Sequence, residues 1–190
     1  MKAAMRIISG RFRGRKLKGP RGTDLRPTGD RLKETLFDIL GPEVRGAVVL
    51  DVFAGSGAIG LEGLSRGARE AVFIESNRDA AQLIRTNLEL CAVTSGYRIL
   101  QGDVFTSLRT LGRSGFKADI AFLDPPYQWG PYGDLLETLF CSGIAAKASR
   151  VVVEHHHKDE LPESGRGFRR VRIVRQSDKC LSFFEMSNDE

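Results

Sequence analysis

The sequence predicts an α/β fold in which helices cover both faces of a mostly parallel sheet. The first observation is that strand-like apolar segments alternate with helix-like amphipathic segments from residue 47 onward. The second is a glycine-rich turn directly after the first of these strands, which is typical of a strand-to-helix connection. The third is a final pair of strand-like segments without a helix between them, which predicts an antiparallel closure. A chain of 190 residues has room for one ordinary domain with a small extension.

The elements follow in order along the chain. Residues 6–19 predict a basic β-hairpin around a glycine-rich turn, and apolar residues spaced between 32 and 40 predict a helix that Gly41-Pro42 ends. The predicted division is therefore a basic extension, residues 1–27, and a catalytic domain, residues 28–190. Seven strands are predicted within that domain, at 47–52, 71–75, 97–101, 119–124, 151–154, 168–175 and 180–186. Helices are expected near 57–66, from about 77 to 90, at 104–111 and at 132–140.

The composition excludes several classes of protein. Apolar residues make up 41% and charged residues 28% of the chain, which is typical of a soluble globular protein, and no run approaches the 18 apolar residues of a membrane span. Cys91, Cys141 and Cys180 are widely spaced and form no CxxC pair, which predicts a reducing cytoplasm without disulfides or structural zinc. Residues 155–157 are three histidines, but consecutive strand residues point to alternate faces, so we expect an exposed strand end and no metal. Nothing in the sequence demands more than a monomer.

The charge of the chain is unevenly distributed. The formal net charge is +5, but residues 1–33 alone carry eleven basic and two acidic side chains, which gives +9, and the other 157 residues carry −4. A basic extension on a mildly acidic body predicts a nucleic-acid partner, with a solvated tail as the alternative. The candidate RNA contacts are Arg6, Arg11, Arg13, Arg15, Lys16, Lys18, Arg26 and Arg31.

A glycine-rich loop marks a candidate cofactor site. Residues 55–60 read Gly-Ser-Gly-Ala-Ile-Gly and satisfy the GxGxxG pattern between a strand and a helix. Glu75 lies 20 residues past Gly55 at the end of the next strand, where an acid can accept hydrogen bonds from ribose hydroxyls. The pattern predicts a nucleotide-like ligand that contains a ribose, and a tight turn without a ligand is the alternative.

Two further acids favour S-adenosylmethionine over NAD as that ligand. Asp51 precedes the glycines, where a carboxylate would oppose a pyrophosphate but could hold the cationic amino end of a methionine. Asp103 ends the third predicted strand and is placed to accept a hydrogen bond from an adenine amine. Carboxylates that line a pocket suit a cationic cofactor better than a doubly anionic one.

The segment Asp124-Pro125-Pro126-Tyr127 predicts a site for a flat base that carries an exocyclic amine. It follows the fourth strand at the sheet edge where ligands bind in such folds. The prolines fix the backbone and remove two N–H groups, so the Asp124 carboxylate and the Pro125 carbonyl can both accept amine hydrogens. Tyr127 can stack on a base that has left its own stack. The predicted reaction is an in-line methyl transfer to that amine, in which alignment and charge stabilisation supply most of the catalysis.

These motifs together resemble the RsmD family of bacterial methyltransferases. The resemblance covers roughly residues 5–186, and it includes the opening block from Met5 to Leu17, the block from Arg26 to Phe37, the loop at 50–60 with Glu62, residues 64–68, and Asp124 to Tyr127. It implies a class I S-adenosylmethionine-dependent methyltransferase fold, Rossmann-like, with a seven-stranded sheet. It also implies methylation of the N2 amine of a guanine in 16S ribosomal RNA.

The resemblance also implies roles for individual residues. Cofactor binding falls to Asp51, Phe53, Gly55, Gly57, Glu75, Asp103 and Val104, and target binding falls to Asp124, Pro125 and Tyr127, with RNA contact through the basic hairpin. Asn77 stands where the family often has an acid, although an asparagine can still cap the following helix. The alternatives are an adenine-N6 methyltransferase on RNA or DNA, a non-catalytic RNA-binding factor of ribosome assembly, and an NAD-dependent oxidoreductase.

Overall fold

The computed structural model describes residues 5–19, 28–126 and 129–187. Two candidate residues, Arg26 and Tyr127, lie outside these ranges. Within them, the helices are α1 (Thr28–Leu40), α2 (Ala58–Ser65), α3 (Arg78–Leu90), α4 (Val104–Arg113) and α5 (Tyr132–Cys141), and a short 3-10 helix, Gly41–Val44, follows α1. The strands are β1 (Val48–Val52), β2 (Glu70–Glu75), β3 (Tyr97–Gln101), β4 (Ala118–Leu123), β5 (Ala145–His156), β6 (Ser164–Gly165), β7 (Phe168–Gln176) and β8 (Lys179–Met186).

The strands form one sheet in the order β3-β2-β1-β4-β5-β8-β7-β6. The strands β1 to β5 run parallel, and β8 pairs antiparallel with both β5 and β7. This confirms the predicted fold, a parallel sheet closed by an antiparallel pair. Two details differ: β6 adds a two-residue eighth strand, and β5 begins six residues before the predicted start. The early part of β5, which reads Ala-Ala-Lys-Ala-Ser-Arg, was missed because it mixes alanines with polar residues and half of it is exposed, so it lacks a strand-like apolar run.

Both faces of the central strands β1, β2 and β4 are buried, whereas β3 and β7 are largely exposed. On β1, Leu50 packs into the cluster that contains residues of α4 and α5, whereas Val49 packs with Phe37 of α1. A third cluster joins Phe73 of β2 to residues of α2 and α3. With the sheet covered on both sides, the ends of the strands are left to form the site. Among the described residues, no helix is both long and apolar enough to cross a membrane.

The predicted N-terminal hairpin is not formed as a pair of strands. In the described residues 5–19 one antiparallel bridge joins Arg6 to Lys16, and three backbone hydrogen bonds of 2.8–2.9 Å fold the segment back on itself. Its apolar residues Ile7, Phe12 and Leu17 are buried in the cluster with α2 and α3. A two-stranded hairpin is marginal in water, and here the segment is ordered by packing against the helices.

Candidate cofactor and target-amine site

The glycine loop leaves β1 through backbone conformations that few residues adopt. Phe53 has φ of 61°, and Gly55 and Gly57 have φ of 54° and 75°. Positive φ is uncommon for a non-glycine residue and is concentrated at functional sites. A Cβ on Gly60 would lie 2.3 Å from the ring of Phe73, so this glycine lets α2 pack closely on β2. The loop therefore has the shape that the GxGxxG pattern predicts.

Asp51 is buried beneath this loop. Its Oδ2 accepts a hydrogen bond from the Gly60 N–H at 2.9 Å, and only 2% of the residue is exposed. Burial raises the pKa of Asp51 to about 7, the Gly60 hydrogen bond opposes this rise, and the charge of Glu75 adds to it. A cationic ligand group beside Asp51 would offset the cost of its burial, as the sequence prediction requires.

Glu75 joins the glycine loop to the end of β2. Its Oε2 accepts a hydrogen bond from the Gly55 N–H at 2.8 Å, and its Oε1 accepts one from the Asn77 N–H at 2.8 Å. A carboxylate has about four acceptor positions, so ribose hydroxyls can share it. Asn77 caps α3 by accepting the N–H groups of Asp79 and Ala80, as predicted.

A cavity of about 270 Å³ lies beside the loop. Its lining brings together three residues predicted from sequence, Phe53, Asp103 and Val104, and adds the aromatic residues Phe105 and Trp129. The Trp129 ring stacks on Phe105 with centroids 6.0 Å apart and meets Phe53 edge-on at 5.1 Å. Sequence reasoning missed both added aromatics, although Phe105 directly follows the predicted acid-and-valine pair. The predicted residues Asp51, Gly55, Gly57 and Glu75 are not part of this lining. The aromatic rings and the Asp103 carboxylate fit the adenosine part of S-adenosylmethionine.

Asp103 performs a structural task at this cavity as well. Its Oδ1 accepts hydrogen bonds from the backbone N–H and the hydroxyl of Thr106, both at 2.9 Å, and so caps α4. These hydrogen bonds lower the pKa of Asp103. The residue is therefore a carboxylate, as an acceptor for an adenine amine must be.

The segment after β4 lines two cavities. The Asp124 N–H donates to the Val52 carbonyl at 3.2 Å, which ties the segment to the end of β1. Pro126 lines the aromatic cavity described above, whereas Asp124 and Pro125 line a second cavity of about 220 Å³. We call these the cofactor cavity and the target cavity. The target cavity is also lined by Tyr132, Glu154, His155, His156, Asp159 and Lys179.

The carboxyl group of Asp124 stands among other charges. The residue as a whole is exposed, but protein atoms crowd its carboxyl group and partly remove it from water. This desolvation, followed by the charge of Glu154, raises the pKa of Asp124 well above its ordinary value, and Lys179 opposes the rise. Perturbed carboxyl groups of this kind cluster at functional sites.

Most of the predicted RNA contacts are exposed to solvent, on residues 5–19, which we call the N-terminal segment, and on α1. The exposed basic residues are Arg6, Arg11, Arg13, Arg15, Lys16, Lys18 and Arg31. Arg15 also donates to the Leu90 carbonyl at 2.6 Å. Lys33, which contributes to the basic count of residues 1–33, is buried, donates to the Arg6 carbonyl and pairs with Glu62 at 3.4 Å. The charge of Lys33 therefore stabilises the fold and is not available for contact with RNA.

The histidines at the end of β5 differ from the expected exposed strand end. His155 is buried, with its Nε2 2.9 Å from the Ser182 hydroxyl. The strand ends at His156, so the alternation of faces does not extend to His157, and the rings of these two residues lie with centroids 4.3 Å apart. With Asp178 they offer potential ligand atoms within 4.8 Å of one another. The three cysteines are unpaired thiols, as predicted.

The fold and this arrangement define the class: an S-adenosylmethionine-dependent methyltransferase. A solved structure of an Escherichia coli protein, yhhF, assigned as a methyltransferase, is 34% identical and superposes with a TM-score of 0.85 over 98% of this chain and 100% of that one. A Streptococcus mutans protein assigned as an S-adenosylmethionine-dependent methyltransferase shares the fold at 14% identity, with a TM-score of 0.67 over 82% of this chain and 48% of that one. The predictions of fold and cofactor are confirmed.

Sequence comparison shows the family to which the chain belongs. A family model described as "Conserved hypothetical protein 95" matches residues 5–185, and the chain is a member of that family. "Ribosomal RNA small subunit methyltransferase D" of Escherichia coli strain K12 is 39% identical over 83% of this chain and 78% of the relative. The protein of the same name from Haemophilus influenzae is 35% identical over 84% of this chain and 82% of the relative. The resemblance recognised in the sequence is confirmed.

Proposed function

We propose that this protein transfers a methyl group from S-adenosylmethionine to the exocyclic N2 amine of a guanine in 16S ribosomal RNA. The observation that supports this most directly is the Asp124–Pro126 segment, whose consecutive residues line both the cofactor cavity and the target cavity. The relatives support this substrate, since both are named as methyltransferases of small-subunit ribosomal RNA. We propose further that the protein acts as a cytoplasmic monomer, and that its substrate is RNA in an assembling small subunit.

The chemistry follows from the groups at the segment. S-adenosylmethionine supplies a sulfonium-activated methyl group when it is bound. Asp124 and the Pro125 carbonyl accept the two amine hydrogens, which directs the nitrogen lone pair toward that methyl group, and Tyr127 stacks on the base. The amine nitrogen would gain the methyl group and lose one proton, and Asp124 or water would accept that proton. Asp124 stabilises the positive charge that develops on nitrogen.

The side chain of Asp124 provides the test. We expect Asp124→Ala to lower methyl transfer by 100-fold or more, on the order of what one electrostatic group in a dry site contributes. Its affinity for S-adenosylmethionine should change little, because the carboxyl group belongs to the target cavity. Titration calorimetry measures the affinity, and transfer to small subunits from a strain that lacks the gene measures the activity. The control is Asp38→Ala, an exposed acid on α1.

Nucleoside mass analysis of the product separates the alternatives. N2-methylguanosine supports the proposal, and N6-methyladenosine would assign the protein to adenine methylation. Binding of RNA without any methylated product would indicate a non-catalytic assembly factor. Full activity of Asp124→Ala would contradict the role of the carboxylate.

A further inference from the structure

The target cavity contains an ion pair that the transfer chemistry does not use. Glu154 lies in the buried part of β5, two residues before the strand ends, and its Oε1 pairs with Nζ of Lys179, the first residue of β8. Only 9% of Glu154 is exposed. The Glu154 side chain is 11% exposed and that of Lys179 is 42% exposed, so the pair is desolvated mainly at its carboxylate. Removing a charge from water often costs more than an ion pair returns, so stability of the fold is weak grounds for the pair. The pair lies in a cavity beside Asp124, where a ligand could use both charges.

Sheet register fixes the order of the three groups. The parallel pairing of Leu123 with Val153 places Asp124, the next residue, beside Glu154. The antiparallel pairing of Glu154 with Leu181, and of His156 with Lys179, places Lys179 on the other side of Glu154. The strands β4, β5 and β8 are neighbours in the sheet, so the charges follow one another as carboxylate, carboxylate and ammonium along its edge.

A guanine base matches this order along its Watson–Crick edge. That edge presents the N2 amine, the N1–H donor and the O6 acceptor in sequence, and enzymes that act on a flipped base read this edge through hydrogen bonds. An adenine presents an acceptor at N1 and a donor at its 6-position. The two charges would therefore meet unsuitable partners on adenine, and a buried polar group without a partner is costly.

We infer that Glu154 and Lys179 determine specificity for guanine: Glu154 accepts the N1–H, and Lys179 donates to O6, while Asp124 holds the N2 amine. This inference rests on the proposed function, because it requires a base whose amine lies at Asp124. The pair also explains why a lysine accompanies the two acids. Lys179 has three N–H donors and can bind O6 while it remains paired with Glu154.

The test compares guanine with 2-aminopurine at the methylated position of reconstituted small subunits. 2-Aminopurine keeps the N2 amine, lacks O6, and has an acceptor at N1. We expect the wild type to prefer guanine by about 10- to 100-fold in kcat/KM, as for one well-made pair of base contacts. Lys179→Met should lower the ratio of kcat/KM on guanine to kcat/KM on 2-aminopurine about tenfold, because only guanine loses a contact to O6. The loss of a positive charge near Asp124 acts on both substrates and cancels in this ratio. Glu154→Gln should lower kcat/KM on guanine and raise kcat/KM on 2-aminopurine, because the Gln amide can donate a hydrogen bond to N1 of 2-aminopurine.

Controls separate specificity from stability and from the proposed function. Glu70→Gln removes a carboxylate from the Arg98–Glu70 ion pair between β2 and β3, and it should leave the preference at the wild-type value. Melting temperature and cofactor affinity are measured for every variant, and the preference is a ratio that a change in active fraction does not alter. If both variants keep the wild-type ratio while the wild type methylates guanine N2, the inference is wrong and the proposed function stands. If the wild type methylates no guanine N2, the proposed function itself is wrong.

Discussion

At the scale of single residues, the site is organised by carboxyl groups at the ends of parallel strands. Asp51 is the last residue but one of β1, Glu75 ends β2, Asp103 lies two residues after β3, and Asp124 follows β4. Burial raises the pKa of Asp51, and hydrogen bonds from Thr106 lower that of Asp103. Backbone N–H groups of Gly55 and Asn77 hold the Glu75 carboxyl group in place. Their differing environments give one acid a pKa near 7 while Asp103 stays ionised.

Asp51 makes the stability of the protein depend on pH. Folding raises its pKa from 3.8 to about 7, so the native state holds the proton more tightly than the unfolded chain. The contribution of Asp51 to the free energy of unfolding is therefore full below about pH 4, and it is lost as the pH rises from there through about 7. We expect the free energy of unfolding of Asp51→Asn, relative to that of the wild type, to rise by a few kcal/mol from pH 4 to pH 8. Urea denaturation without cofactor measures this difference.

The matched control for Asp51 is Asp38→Asn, an exposed carboxyl group on α1. The free energy of unfolding of this variant should differ from that of the wild type by the same amount across this pH range. S-Adenosylmethionine should reduce the pH dependence of the wild type, because its cationic amino end stabilises the ionised carboxylate. Parallel stability curves for wild type and Asp51→Asn would show that Asp51 titrates in the native state as it does in water.

At the scale of elements, Glu62 holds the N-terminal segment to the body. Its carboxylate is fully buried on α2 and accepts the N–H groups of Ile8 and Ser9, at 2.8 and 3.0 Å. It also pairs with Arg66 at 2.9 Å and with Lys33 of α1 at 3.4 Å. One acid therefore joins the N-terminal segment, α1 and α2.

The segment also contacts the glycine loop. Asn87 of α3 donates through its amide nitrogen to the carbonyls of Lys18 and Ser56, at 3.0 and 2.9 Å, and accepts the Lys18 N–H at 2.8 Å. The Ser56 hydroxyl lies 3.3 Å from the sulfur of Met5. Lys18 is thus linked through Asn87 to the glycine loop of the predicted cofactor site.

Gly10 provides a test of this docking. It has φ of 83°, and a Cβ there would lie 1.9 Å from the backbone oxygen of Ser65. The same oxygen accepts the Arg11 N–H at 2.9 Å. We expect Gly10→Ala to cost about 3 kcal/mol or more of unfolding free energy, since the backbone strain and the steric clash add. Chemical denaturation measures this cost.

Gly14 is the matched control for Gly10. Its φ of 81° is nearly the same, but a Cβ there meets no atom within 4 Å. Gly14→Ala should therefore lower the free energy of unfolding by only about 1–2 kcal/mol, which is the cost of a left-handed backbone conformation for alanine. Equal losses for the two variants would show that contact with Ser65 does not hold the segment.

The sequence predicted those elements whose own residues carry the signal. β1 and β4 are apolar runs, and α1 has its apolar residues at helical spacing, so local pattern was sufficient. The antiparallel fold-back of residues 6–19 was predicted, but one bridge replaces the two expected strands, because packing of Ile7, Phe12 and Leu17 orders the segment. Glu154 and Lys179 could not be placed from spacing, because only the register between strands brings them together. An acid at the end of an apolar strand was the one signal available for Glu154.

At the scale of the whole molecule, charge is distributed between two surfaces. The exposed basic side chains of residues 5–19 lie on a segment fixed to α2 and α3. The strand β7 adds exposed arginines, Arg169, Arg172 and Arg175, within a body whose net charge is negative. Sequence arithmetic found the first surface but not the second, because the acids of the body mask the arginines of β7 in a sum.

The N-terminal segment predicts a salt-dependent affinity for RNA. Each phosphate contact releases condensed counterions, so the logarithm of the binding constant falls linearly with the logarithm of salt concentration. We expect the triple variant Arg11→Gln, Arg13→Gln and Arg15→Gln to reduce the magnitude of that slope by about one for each arginine that contacts phosphate. Arg15 should contribute least, because one of its N–H groups is held by the Leu90 carbonyl.

A variant with the same loss of charge elsewhere on the protein surface tests whether position matters. Arg113, Lys117 and Lys147 are exposed and lie near the ends of α4, β4 and β5 that are remote from Asp124. Their joint replacement by Gln lowers the net charge equally but should leave the salt slope near that of the wild type. Binding to a 16S ribosomal RNA fragment is measured by filter retention between about 50 and 200 mM salt. Equal slopes for the two triple variants would mean that only net charge attracts the RNA, and that the N-terminal segment is not its contact surface.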